Sequence, residues 1–173
     1  ELGAIVALTA DHGMNDKAND DGSPCVVWLQ DILDAAFGKG TSTVICPITD
    51  AFVGHHGALG GFVRVYCHAD LTAEQVIETI RDVPGLEQVL SREEVADTYD
   101  LPFDVEGDVA VLGDARTVIG ASEQDHDLSG LKGHRLRTHG SVYEADVPIV
   151  LSRPVSDLYA RRAEAGRLHS YQV

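Results

Sequence analysis

Ala4-Ile5-Val6-Ala7-Leu8-Thr9-Ala10-Asp11-His12-Gly13-Met14 is the stretch on which the reading of this chain turns. Its unbroken apolar run, Ala4 to Leu8, reads as a buried strand. The run ends in adjacent Asp and His side chains, followed by a Gly that lets the backbone turn. A carboxylate oxygen beside an imidazole nitrogen at a sheet edge suits Zn²⁺ or a similar divalent ion. The plainer alternative is an Asp that closes a turn, with His12 as its hydrogen-bonded partner.

Outward from this strand, helix and strand signals alternate. Ser23-Pro24 offers an N-cap and a first-turn proline, and Leu29, Ile32, Leu33, Ala36 and Phe37 follow at helical spacing up to Gly38. Thr43 to Ile48 reads as a short strand. Gly61 to Cys67 alternates as a half-buried strand should, with Phe62 and Arg64 on one face and Val63 and Val65 on the other. Thr72-Ala73-Glu74-Gln75 and Ser91-Arg92-Glu93-Glu94 are both capping boxes, each opening a helix. Leu86 to Leu90 is a strand between those helices. Asp108 to Leu112 and Arg116 to Ile119 read as a hairpin around Gly113-Asp114. Val147 to Leu151 is a second buried strand, and Ser156 to Ala165 a final helix stopped by Gly166.

The alternation predicts an α/β fold: a sheet-and-helix core with a small α+β subdomain inserted. Residues 1–60 form a core segment carrying Asp11-His12-Gly13, residues 61–120 the subdomain, and residues 121–173 the return to the core. The strands Ile5–Leu8 and Val147–Leu151 are expected to be neighbours in one sheet.

Composition narrows the partners. The 173 residues suffice for one domain with a sizeable core. Thirteen Lys and Arg against 28 Asp and Glu give a net charge of −15, which argues against nucleic acid or an anionic membrane. An anionic substrate would need a local positive centre, which a bound metal provides. Cys25, Cys46 and Cys67 are too widely spaced for a CxxC site. An odd count with no signal-peptide pattern fits a reducing cytoplasm. No apolar run approaches the roughly 20 residues that cross a bilayer.

His139, in Thr138-His139-Gly140, precedes the closing apolar strand and is placed to reach the same sheet edge as Asp11 and His12. His55-His56-Gly57 could give at most one ligand to a given site if extended, because neighbours in a strand point to opposite faces. Asp125-His126-Asp127 and His134 lie in polar, flexible context and read as residues with no ligand role. No GxSxG elbow, phosphate-binding P-loop, GxGxxG or HExxH is present, against serine-hydrolase, kinase, dinucleotide and zincin readings.

TADHGMNDK at 9–17, DGSPCVVWLQDILD at 21–34, PITDAFVGHHGALGGF at 47–62 and LRTHGSVYEADVPIVLSR at 136–153 together carry a resemblance. LSREEVADTYDLP at 90–102, GDVAVL at 107–112 and HDLSGL at 126–131 extend it. In order and spacing the chain resembles the alkaline phosphatase superfamily of two-zinc phosphoryl-transfer enzymes, and within it the phosphonoacetate hydrolases. The resemblance implies that Asp11 and His12 hold the zinc that activates the nucleophile, and His139 the zinc facing water in the second step. It implies hydrolysis of the C–P bond of phosphonoacetate to acetate and phosphate. The alternative within the superfamily is a nucleotide pyrophosphatase/phosphodiesterase-like enzyme acting on P–O bonds.

The nucleophilic Thr, the remaining zinc ligands and the substrate-contacting lysines precede the Asp-His-Gly segment in that family, and only ten residues precede Asp11 here. The resemblance therefore gives no catalytic residue within 1–173, and Thr9 belongs to the strand end. A chain opening on Glu1 reads as the C-terminal portion of a longer enzyme, inert on its own. An unpaired sheet edge in such a piece favours self-association, so a homodimer is allowed.

Overall fold

Leu29 and Leu33, one turn apart on the first helix, are fully buried, and they mark where the core lies. A computed structural model describes residues 4–48, 59–131, 133–166 and 168. The strands and helices run in the order β1 (Ala7–Leu8), β2 (Asn15–Asp16), β3 (Val26–Trp28), α1 (Leu29–Phe37) and β4 (Ser42–Ile45). Next come β5 (Phe62–Cys67), α2 (Ala73–Ile80), β6 (Leu86–Ser91), α3 (Arg92–Tyr99), β7 (Val109–Gly113) and β8 (Val118–Gly120). The chain closes with β9 (Arg137–Thr138), β10 (Val150–Leu151) and α4 (Asp157–Ala165). Two compact units result, one of residues 14–143 and one joining 1–13 to 144–173.

The larger unit is built on a four-stranded antiparallel sheet in the order β4-β5-β7-β6. Alternation along β5 works as read: Val63 and Val65 are fully buried, while Phe62 and Arg64 are only half-buried. Val63, Val65, Val109 and Val111 meet Leu29 and Leu33 of α1 and Val76 and Ile80 of α2. Each such side chain contributes about 1.5–3 kcal/mol on leaving water. Thr72 and Ser91 form the expected capping boxes of α2 and α3, each reciprocal with Gln75 or Glu94. Gln30 on α1 secures the outer strand, its Oε1 accepting from Val44 N–H at 2.8 Å.

Three expectations need correction. Ser23-Pro24 does not start a helix. Asp21 Oδ1 accepts from both the backbone N–H and the hydroxyl of Ser23, at 2.9 and 2.6 Å, which closes a turn instead. Residues 26–28 then extend as β3, so α1 begins only at Leu29 and has no side-chain cap. The hairpin around Gly113-Asp114 does not form either. Asp114 Oδ1 takes the N–H groups of Arg116 and Thr117 at 2.9 and 2.8 Å, and the following strand β8 pairs in parallel with β3, Val26 opposite Val118.

The third correction lies in the smaller unit. The two apolar end segments do pair, as β1 and β10, antiparallel with Ala7 opposite Leu151. They are not buried: Ile5 is 66% and Leu8 68% exposed. Apolar runs report a preference for burial, and a two-stranded ribbon covers little of either face.

Charge is neutralised inside the larger unit by pairing. Glu106 is buried and takes two bonds from Arg64, at 2.7 and 2.6 Å, and the guanidinium also lies 5.1 Å from the centre of the Phe62 ring. That carboxylate pushes the Arg64 guanidinium further up from its ordinary value, against partial burial. Arg92 pairs with Asp108 at 2.7 Å, whose second oxygen accepts from Cys67 N–H. No described helix is long and apolar enough to cross a membrane.

Candidate functional site

The Asp11-His12-Gly13 turn belongs to the smaller unit. Asp11 Oδ1 accepts from His12 N–H at 3.1 Å, which fixes the carboxylate against its own neighbour. His12 Nδ1 lies 2.8 Å from the carbonyl oxygen of Gly13. A carbonyl only accepts, so Nδ1 carries the proton, and in the neutral ring the lone pair sits on Nε2. That Nε2 lies 3.7 Å from Asp11 Oδ2. Two ligands on a tetrahedral ion with bonds of about 2.0 Å stand about 3.3 Å apart, so the pair needs only a small closure to share one metal. The backbone bond at Nδ1 is the kind of outer partner that orients a metal-binding imidazole.

Gly13 explains why the motif ends as it does. Its N–H donates to Glu144 O at 2.7 Å, and a Cβ there would stand 3.3 Å from that same oxygen. A side chain would push the turn away from the segment that follows Tyr143.

His139 belongs to the larger unit and is half-buried. Strands β2 and β9 pair antiparallel, with Asn15 opposite Thr138 and Asp16 opposite Arg137. The register therefore joins the residues just after Met14 to those just before His139. The carbonyl of His139 accepts from Gly61 N–H at 2.8 Å. Asp11 and His12 lie in the smaller unit and His139 in the larger. Among the described residues, no group of three or more His, Cys, Asp or Glu side chains is arranged to hold a metal ion. The donor chemistry of the Asp11–His12 pair still fits a divalent ion. His55 and His56 lie outside the described residues.

Among the buried titratable side chains that escaped the sequence are His126 and Lys17. His126 is not a loose surface residue. It is 8% exposed and packs on Trp28 with ring centres 5.2 Å apart, and its Nε2 accepts from Ala121 N–H at 3.2 Å. It also lines a cleft of about 500 Å³ with Val44, Cys46 and Gln124. Lys17 is completely buried, and its Nζ donates to Asp114 O at 3.4 Å. Neither had a local signal, because Trp28 and Asp114 are far away in the chain. The Trp28 partner of His126 could have been sought only as the single Trp in the sequence.

The three cysteines are free thiols. Burial first, then the carboxylates of Asp108 and Glu74, pushes the Cys67 thiol from 9.0 up to about 11. A raised thiol pKa favours the protonated form in the folded chain. The stabilisation is full below pH 9 and fades as pH rises from 9 toward 11. Site-resolved alkylation with iodoacetamide is therefore expected to be slow at Cys67 at pH 8, with its rise displaced toward pH 11. A midpoint at or below pH 9 would contradict the stated environment.

No protein-family model matches the chain. Phosphonoacetate hydrolase from Sinorhizobium meliloti, solved with phosphonoformate, is 40% identical with a TM-score of 0.81, over 90% of this chain and 38% of that one. The same enzyme solved with phosphonoacetate gives a TM-score of 0.80 at the same identity and coverage. Murine ectonucleotide pyrophosphatase/phosphodiesterase 5 matches at a TM-score of 0.60 and 16% identity, over 88% of this chain and 34% of that one, a likeness of fold. The chain thus spans 38% of the length of the phosphonoacetate hydrolase it matches. The mixed helix-and-strand architecture and the 40% identity give one conclusion: over 90% of its length the chain is similar in sequence and fold to phosphonoacetate hydrolase.

Proposed function

We propose that the intact protein is a zinc-dependent hydrolase of the C–P bond of phosphonoacetate, yielding acetate and phosphate. The observation that carries this reading is the 40% identity over 90% of the chain to an enzyme solved with phosphonoacetate bound. The proposed ligands are Asp11 and His12 for one zinc and His139 for the other. When bound, two such ions neutralise phosphonate oxygens and lower the pKa of a nucleophile.

This chain's own residues would act by holding donor atoms still. Asp11 is steadied by the His12 N–H, and His12 by the Gly13 carbonyl, so both meet a metal already oriented. The net charge of −15 repels a free phosphonate at a distance, which makes a local positive centre necessary at the site. The nucleophile is assigned outside residues 1–173, and the isolated segment is expected to give no turnover.

The test is phosphate release by the full-length protein. Phosphonoacetate turnover is expected, lost on thorough chelation and restored by Zn²⁺. Turnover that survives complete metal removal would sink the zinc reading. A strong preference for a nitrophenyl phosphodiester over phosphonoacetate would instead select the pyrophosphatase/phosphodiesterase-like activity.

A further inference from the structure

Behind His139 the larger unit brings three glycines together. Gly60 O accepts from Ile119 N–H at 2.8 Å and Gly61 O from Gly113 N–H at 2.9 Å, so this dipeptide hangs from the middle of β8 and the end of β7. On its other side, Gly61 N–H donates to His139 O at 2.8 Å. The backbones approach too closely for side chains. A Cβ at Gly61 would stand 2.7 Å from Ser141 N and 3.2 Å from Gly140 C. A Cβ at Gly60 would stand 3.2 Å from His139 O and overlap Ile48 Cδ1. Gly140 has a φ of +115°, a conformation that other residues rarely adopt, and a Cβ there would meet Gly61 N at 3.1 Å.

We propose that Gly60 and Gly61 are positioning residues for His139: a shelf without side chains, fixed to the sheet, that sets where the histidine's backbone lies. The proposal rests on the reading of His139 as a metal ligand. It assigns the setting of that ligand to residues nearly 80 positions upstream that touch no metal themselves (His139 follows Gly61 by 78). A ligand whose backbone shifts by a few tenths of an ångström loses its geometry, and outer partners of this kind are worth about 10–100-fold in metal affinity.

The full-length protein loaded with Co²⁺ tests this, because its visible spectrum reports ligand geometry apart from turnover. Gly61→Ala meets backbone and has nowhere to go. It is expected to alter the cobalt spectrum and weaken one of the two sites about 10–100-fold. Gly60→Ala meets mainly the tip of Ile48, so Gly60→Ala with Ile48→Val is expected to recover most of the native spectrum. Gly130→Ala, in open space, serves as the neutral control.

A native spectrum and affinity in Gly61→Ala, alongside a His139→Ala variant that loses one site, would overturn the shelf while keeping the ligand. Two native sites in His139→Ala would instead overturn the ligand reading itself. Amide exchange covers the case in which Gly61→Ala does not fold. The Gly61 N–H of the unmodified protein is expected to be protected, and exchange at the rate of an open loop would overturn the proposal.

Discussion

Asp11→Ala in the full-length protein is expected to lower zinc affinity at one of the two proposed sites by more than about 100-fold, the upper end of the loss seen when only an outer partner of a ligand is removed. The same substitution is expected to leave folding stability within about 0.5 kcal/mol, as surface changes do. The Asp11 side chain is 89% exposed, and its hydrogen bond is to the very next residue. Competition with a chelator of known affinity reads the first quantity and urea unfolding the second. A loss of metal binding accompanied by a large fall in stability would point to a structural turn rather than a ligand. Unchanged metal binding would remove Asp11 from the site.

Glu106→Ala should produce the largest change in stability, a loss of about 3–5 kcal/mol. That is a large share of the roughly 5–15 kcal/mol by which domains of this size are stable. The Glu106 side chain is 1% exposed and that of Arg64 22%, so the substitution strands a partly buried guanidinium without its carboxylate. Glu106→Gln keeps one acceptor oxygen and should cost less. Replacing the pair together, as Arg64→Met with Glu106→Leu, should recover much of the loss, because the cost lies in the unpaired charge. Fluorescence of Trp28, the single Trp, follows unfolding of the larger unit in urea. A loss below about 1 kcal/mol in Glu106→Ala, the range of a solvent-exposed pair, would contradict this account.

Signals that act within a few residues were readable in the sequence. Thr72 and Gln75, like Ser91 and Glu94, satisfy each other's backbone N–H groups over three positions, and both helices start where those pairs place them. Alternation along β5 told which face was buried because the sheet repeats every two residues. Signals whose partners are distant misled. Ser23 and Pro24 have the chemistry of a helix start, but Val26–Trp28 is claimed by a strand from residues 118–120. Gly113-Asp114 has the chemistry of a tight turn, but Asp114 spends its side chain on Arg116 and Thr117.

The candidate site divides in the same way. The steadying of Asp11 by His12 and of His12 by Gly13 is local, and the Asp-His-Gly spelling carries it. The hold on His139 was not legible, since it comes from Gly61 and from the pairing of Thr138 with Asn15. Nothing near residue 139 names either partner.

The β2–β9 ladder also has a consequence for the order of folding. Arg137 Nη2 reaches Met14 O across 123 positions of chain, and in the smaller unit Val6 N–H reaches Ser152 Oγ across 146. Such closures are entropically late, whereas α2, β6 and α3 draw on neighbours close in sequence. The segments flanking the proposed ligands thus come together only after the intervening chain has condensed. An ion taken up by the proposed ligands would then meet a finished protein and would not seed its folding.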